Sequence, residues 1–257
     1  MLQSILFIGA ALLSQVAADC TRSALQDATN SYVAARGAGQ IANIPATAAY
    51  TENFVTADIK KSILTTPLKI DHNASILDTT ACATFTELII TDAKHPYVVG
   101  TQIRFTNEST ISKIDTIVTD AGDWLFNATG TLYWARQENW GTIPVEKRDS
   151  RETIQKAADA YLNLFNDKTA VVPWGTPCAR LEGGIYTGRG SPTDSCNLGV
   201  PDNIALVNRR YVIDETFGSV DVYLNFGGNT GNPDSHQFRL QEGKLRYIHT
   251  MSVGNLP

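Results

Sequence analysis

Apolar positions recur at helical spacing twice along the chain. Leu25, Tyr32 and Val33 follow Ser23 and Gln26, which read as a capping box, so a helix is predicted over residues 23–37, stopping at Gly37. Ile154, Ala158, Tyr161, Leu164 and Phe165 fall on one face behind Asp149 and Glu152, a second capping box, and predict a helix over 151–166. After each helix come apolar runs bounded by turn residues, the pattern of strands. Glu87-Leu88-Ile89-Ile90 through Tyr97-Val98-Val99 reads as equivalent to Tyr211-Val212-Ile213-Asp214 through Val220-Asp221-Val222-Tyr223. The halves align elsewhere too. Ser31-Tyr32-Val33-Ala34-Ala35 matches Ala160-Tyr161-Leu162-Asn163-Leu164 at an offset of 129. Gln102-Ile103-Arg104-Phe105 matches Gln237-Phe238-Arg239-Leu240 at 135, and Lys113-Ile114-Asp115-Thr116-Ile117-Val118 matches Lys244-Leu245-Arg246-Tyr247-Ile248-His249 at 131. The expected architecture is α+β: two tandem cone-like units, each a helix, a long connection, then a curved antiparallel sheet of three or four strands wrapping the helix. The units are predicted at 19–140 and 141–257, joined through residues 140–147 around Pro144.

The amino end changes where this fold is expected to live. The apolar run from Ile5 to Leu13 precedes Val16-Ala17-Ala18, small residues at the positions a signal peptidase reads, so residues 1–18 are predicted to be a secretory signal peptide. That run falls short of the roughly 20 residues a membrane span needs, and no later window reaches it. A secreted or vesicular protein without membrane insertion is expected. Four cysteines, Cys20, Cys82, Cys178 and Cys196, then suggest two disulfides, one per half, with pairing across the halves left open. Zinc is the rival, but there is no C-x-x-C spacing and His72, His95, His236 and His249 are scattered. Asn73, Asn107 and Asn127 each head an acceptor sequon and are the predicted glycosylation sites.

Charge and motif content narrow the chemistry. With 26 acidic and 21 basic side chains the formal charge is −5, which argues against nucleic acid or an anionic membrane as partner. The chain contains no G-x-S-x-G, H-E-x-x-H, phosphate-loop or dinucleotide fingerprint. Chemistry would then rest on general acids, bases and hydrogen-bond donors acting on a bound organic molecule, with no metal or cofactor. The densest candidate is the run from Val172 to Gly184, a stiff stretch in which Trp174 offers an aromatic face and Arg180 a permanent charge. Its structural alternative is a disulfide-braced loop whose Arg180 pairs with Glu182. Tyr50-Thr51-Glu52-Asn53-Phe54 is the equivalent stretch of the first half, and His95 reads as an exposed turn residue. Alternation along a strand places Leu245, Tyr247 and His249 on one face and Arg246, Ile248 and Thr250 on the other. A Tyr and His facing inward together would form an acid–base pair, and otherwise His249 is a hydrogen-bonded core residue. His236 lies near Arg239 on a strand, and Asn208-Arg209-Arg210-Tyr211 is either a solvated strand start or an anion site.

Several of these runs are familiar together. Pro173-Trp174-Gly175-Thr176-Pro177-Cys178-Ala179-Arg180-Leu181-Glu182-Gly183-Gly184, with Tyr50-Thr51-Glu52-Asn53, His95-Pro96-Tyr97-Val98-Val99-Gly100-Thr101, Gly122-Asp123-Trp124-Leu125-Phe126 and Arg209-Arg210-Tyr211-Val212-Ile213-Asp214, resembles a secreted fungal SnoaL-like family. That family includes the hetero-Diels–Alderases of tropolonic sesquiterpene biosynthesis, and the similarity covers nearly the whole mature chain. The resemblance implies two SnoaL-like (cystatin-like cone) units and a cofactor-independent reaction. A hydroxymethyl tropolone loses water to give a quinone methide, which adds across an alkene of a humulene-type terpene. Such a site needs donors, which Arg180, His249, His236 and Arg246 can supply, and walls, which Trp174, Tyr50, Phe54, Tyr211 and Tyr247 can form. The implied partners are these hydrophobic small molecules, with a homodimer as a permitted assembly. The rival classes are a secreted binding module and a glycoside hydrolase using Glu52 and Glu182. Ligand sites favour domain interfaces, so the pocket is expected at the seam between halves.

Overall fold

The computed structural model describes residues 20–41, 44, 45 and 47–256, so the predicted signal peptide lies outside the described residues. Helix α1 (Arg22–Ala38) leads into a short hairpin, β1 (Ala49–Glu52) and β2 (Val55–Thr56), followed by β3 (His72–Asp78), β4 (Ala83–Ile90), β5 (Tyr97–Asn107) and β6 (Thr110–Thr119). A linker carrying α2 (Ala128–Ala135) follows, and then the series repeats. Helix α3 (Arg151–Asn163) precedes the hairpin β7 (Trp174–Glu182) and β8 (Ile185–Tyr186), then β9 (Leu206–Asp214), β10 (Ser219–Phe226), β11 (Asn232–Gln241) and β12 (Lys244–Ser252). The sheets run β2-β1-β6-β5-β4-β3 and β8-β7-β12-β11-β10-β9, the same path strand for strand. The chain is α+β with two tandem, sheet-dominated halves.

Four sequence expectations need correction. The sheets are mixed, because β1 pairs parallel with β6 and β7 parallel with β12. Each hairpin docks beside the last strand of its sheet, which the chain reaches only after three further strands. The segment expected to be a stiff loop, from Trp174 to Glu182, is this first strand. The β4–β5 hairpin corresponds in sheet order to β10–β11, whereas the sequence alignment set it against β9–β10. Alternation of period two looks the same after sliding by a whole strand, so it cannot choose between them. The caps also differ: Thr21 accepts from the Ala24 amide at the start of α1, and Ser150 accepts from the Thr153 amide at the start of α3. Asp149 instead accepts from the Gly243 amide at 3.0 Å.

Each helix packs on the inner face of its own sheet. Leu25 and Tyr32 of α1 meet Leu77, Leu88, Val99 and Ile103. Ile154, Ala158 and Tyr161 of α3 meet Val220, Val222, Phe238 and Leu240. The opposite faces of the two sheets pack on each other, with Phe85, Ile89, Val98 and Ile117 against Leu181, Val212, Tyr223 and Met251. Contact there is close enough that a Cβ on Gly100 would lie 2.6 Å from the Met251 methyl. Two clamps cross this seam reciprocally. Asp78, ending β3, accepts both guanidinium nitrogens of Arg151 at 2.7 Å and the Ile213 amide at 2.9 Å. Asp214, ending β9, accepts Arg22 at 2.8 and 2.9 Å and the Leu77 amide at 2.9 Å. Each half therefore inserts the same carboxylate into the other.

The disulfides are Cys20–Cys82 and Cys178–Cys196, one in each half. Closing the shorter loop contributes roughly 3 kcal/mol in the chain-entropy account. Asn73, Asn107 and Asn127 are all exposed, and Asn127 also caps α2. Among the described residues no helix is long and apolar enough to cross a membrane. The two disulfides are consistent with an extracellular or secretory setting.

One buried carboxylate at the seam is poorly placed for charge. Asp221 is fully buried and accepts from Gln102 and Ser235, each at 2.6 Å. Burial pushes its carboxyl up, the two hydrogen bonds offset this only in part, and the result is about 7. A carboxyl raised on folding contributes most below its unfolded value, and that contribution is lost as pH rises through the folded value. Asp221→Asn is therefore expected to raise the thermal midpoint at pH 8 and to leave it nearly unchanged at pH 4. Calorimetry showing the same shift at both values would refute this.

Candidate active site

A single extra residue decides which side chains reach the seam. The registers of β11 with β12 and of β12 with β7 both shift around Arg246, as a β-bulge requires. Leu245 and Ile248 consequently lie in the α3 core, while Met251 belongs to the seam cluster and Tyr247 and His249 pack against Trp140 of the linker. Leu245 thus does not share the face of Tyr247 and His249. The Tyr–His pair exists, but it faces the seam and not the interior of a cone.

At the seam His249 stands between two carboxylates. Its Nε2 lies 2.6 Å from Glu138 Oε2, and its Nδ1 faces Glu87 Oε1 at 3.5 Å. Glu87 comes from β4 of the first half, Glu138 from the linker after α2, and His249 from β12, so three distant segments build the group. All three side chains are almost wholly buried. Trp140 donates its indole N–H to the same Glu138 Oε2 at 2.7 Å, and its ring stands 5.0 Å from the imidazole. Burial pulls the His249 imidazole down, but the charges of Glu138 and Glu87 outweigh it and raise it to about 10. The same pairing outweighs burial at Glu87 and holds its carboxyl below the usual range. His72, half-buried nearby, is pulled down chiefly by burial and is neutral at neutral pH.

This group borders a cavity of about 230 Å³ whose walls include His72, Ser75, Trp140, Phe217 and Gln237. Glu138 Oε1 is buried without a hydrogen bond of good geometry, although the Tyr186 phenol is a neighbour of this carboxylate, and His249 Nδ1 has only the long contact with Glu87. Buried polar atoms are nearly always well satisfied, so a carboxylate oxygen left short beside a cavity can take a donor from something bound there. Glu138 can accept a proton or hydrogen bond, His249 supplies fixed positive charge behind it, and Trp140 and Phe217 offer aromatic surface.

The other sequence candidates scatter. Arg180, His236 and Trp174 converge inside the second half, on the face of the sheet opposite His249. Arg180 Nε is 3.1 Å from Glu182 Oε1, His236 Nδ1 is 2.5 Å from Asp234, and Trp174 packs edge-on to Tyr161 at 5.8 Å. Only about 80 Å³ is open beside them. Tyr50 is buried in the first half and donates to Glu52 at 2.7 Å, so Glu52 and Glu182 are each engaged within their own half. Phe54 packs on Tyr223 beneath Arg210, Tyr211 donates to Asp159 on α3, and His95 is exposed as expected. Arg246 lines a separate groove. The first half also holds a largely apolar cavity of about 450 Å³, walled by Ala24, Ala28, Ile103, Phe105 and Ile114 with Asp27 and Glu108 also in its lining. Sequence reasoning missed Glu87, Glu138, His72 and Trp140 as site residues. Glu87 carried a signal, as the one charged residue in a strand whose eight positions are all buried.

Residues 147–252 match a family described as a domain of unknown function (DUF8021). The match spans the second half, including His249, and stops short of Glu87, Glu138 and Trp140. No curated protein matches the chain.

Proposed function

We propose that the chain is a cofactor-independent enzyme acting on a neutral, hydroxyl-bearing organic molecule at the seam, with Glu138 as the proton acceptor. The carrying observation is the buried Glu138 carboxylate, whose Oε1 makes no hydrogen bond of good geometry, beside a cavity of about 230 Å³ with Trp140 and Phe217 in its walls. That volume suits one small ring system. His249, held cationic by its two glutamates, fixes Glu138 in orientation through its Nε2.

The sequence resemblance makes the reaction specific: two SnoaL-like units in a secreted hetero-Diels–Alderase of meroterpenoid biosynthesis. Glu138 takes the ring-hydroxyl proton of a hydroxymethyl tropolone, the bond from the exocyclic carbon to its hydroxyl oxygen breaks, and the proton returns to the departing hydroxide. Water and a quinone methide result, and Glu138 ends unchanged. One C–C and one C–O bond to the alkene of a humulene-type terpene then form without further proton transfer. Positioning of the two reactants supplies much of the rate.

Glu138→Gln keeps the shape and removes the base. Turnover of the tropolone in the presence of humulene, followed by chromatography of the adduct, is expected to fall by about 10²-fold or more. Wild-type protein that gives no more adduct than buffer would sink the enzyme reading. A second reading, a secreted carrier without catalysis, is favoured by the apolar cavity of about 450 Å³ in the first cone. Saturable terpene binding without turnover would support it.

A further inference from the structure

Arg246 is the bulged residue of β12, half-buried, and among the described residues its guanidinium makes no hydrogen bond or ion pair. Its one close contact is with the ring of Tyr247, 4.1 Å from guanidinium carbon to centroid. Other arginines of similar or greater burial behave differently. Arg22 and Arg151 grip aspartates, Arg209 pairs with Asp159, and Arg104 and Arg239 donate to carbonyls. A guanidinium presents five donors in a planar fork and cannot shed its charge, and because none of the Arg246 nitrogens is fully buried the fork is open to an anionic ligand in place of water.

The fork faces a groove of about 340 Å³ with a stiff aromatic lining. Trp134 and Tyr186 form one wall, stacked at 4.2 Å with 9° between their planes. Pro177 and Pro192 stand on the other sides, and the Cys178–Cys196 disulfide ties down the segment between them. The Tyr186 phenol is pushed up by burial and by the Glu138 charge, and its proton is engaged by that carboxylate, so Tyr186 offers the groove its ring and not its hydroxyl. Asp194 also lines the groove, but its carboxylate is held by the Arg189 and Ser191 amides at 2.7 and 3.1 Å. Arg246 is thus the uncommitted charge.

From this geometry we propose that the groove is a binding site for a planar aromatic carboxylate. Its ring lies along the Trp134–Tyr186 and Tyr247 surfaces, and its two oxygens engage the Arg246 fork. Bidentate Arg–carboxylate pairing is both directional and stronger than a neutral hydrogen bond, and stacking of the guanidinium on Tyr247 sets the fork before the ligand arrives. The groove adjoins the seam cavity across Tyr186 and Tyr247, but binding there does not depend on the reaction proposed at the seam.

Salicylate is the probe, titrated into the full chain by calorimetry, with its neutral amide, salicylamide, as comparison. Saturable one-to-one binding is expected, about ten-fold or more weaker for salicylamide. Arg246→Gln should weaken salicylate by about ten-fold, and Arg246→Lys should not restore it, because an ammonium keeps the charge but not the fork. Salicylate binding is read with neither tropolone nor terpene present, so failure of the groove is distinguishable from failure of the reaction proposed at the seam. Absent saturation, equal affinity for the two probes, or full affinity in Arg246→Lys each overturns the proposal. Should Arg246→Gln fail to fold, the two probes on wild-type protein still decide.

Discussion

His249→Ala is expected to lower stability by about 3–5 kcal/mol at pH 7, because it leaves Glu87 and Glu138 buried beside each other with no cation between them. At this chain length that corresponds to a fall of roughly 6–20 °C in thermal midpoint. The pH profile carries more information than the size. A histidine raised to about 10 contributes stability that is fully present below its unfolded value near 6.5 and is lost as pH rises through 10. Wild-type protein should therefore lose stability across that window, and His249→Ala should be flat there. In acid the sign reverses. Glu87, held low, contributes above its ordinary range, and that part fades as pH falls through its folded value. In the variant Glu87 has lost the charge that held it low, so the gap to wild type should narrow near pH 4–5. Thermal melts from pH 4 to 10 test this. A deficit that is the same at every pH would mean that His249 is only a packed ring.

How much of this was legible in the chain depends on the physical signal that each feature leaves. The helices announce themselves by a 3.6-residue period, and the 129-residue offset correctly pairs Tyr32 with Tyr161, both buried against their sheets. The pairing of disulfides followed from the duplicated unit. Strand partners were harder: β5 with β11 and β6 with β12 were matched by residue identity, whereas β4–β5 was matched by alternation alone and slid by one strand. The caps failed because neighbouring side chains, Thr21 and Ser23 or Asp149 and Ser150, are alike in capacity, and backbone geometry selects between them. A bulge leaves no periodic trace, so Arg246 silently inverted the facing of Leu245. The active group was the least legible, because Glu87, Glu138 and His249 lie far apart in sequence and meet only when the sheets dock.

Asp78→Ala and Asp214→Ala are each expected to cost about 3 kcal/mol, measured by urea denaturation, since each removal orphans a buried backbone amide and a bidentate arginine. Arg22 and Arg151 are about a third exposed, at 35% and 30%, so water recovers part of what they lose. The amides of Leu77 and Ile213 have no such recourse, as both residues are 2% exposed. The two clamps also share one place, for Asp78 is held beside Ile213 while Asp214 is held beside Leu77. Loss of one should loosen the other, and the double variant should fall short of the sum by about 0.5 kcal/mol or more. A neutral single variant would show that the clamps are not reciprocal. The consequence reaches the active group. Strand β4, which carries Glu87, pairs directly with the clamped strand β3, and Glu87 faces His249 only across the docked seam. Slackening either clamp lets Glu87 withdraw, which lowers the His249 imidazole and shallows the loss of stability between pH 6.5 and 10. Both aspartate variants should therefore reproduce, in weaker form, the flattened alkaline profile of His249→Ala, although neither aspartate touches the histidine.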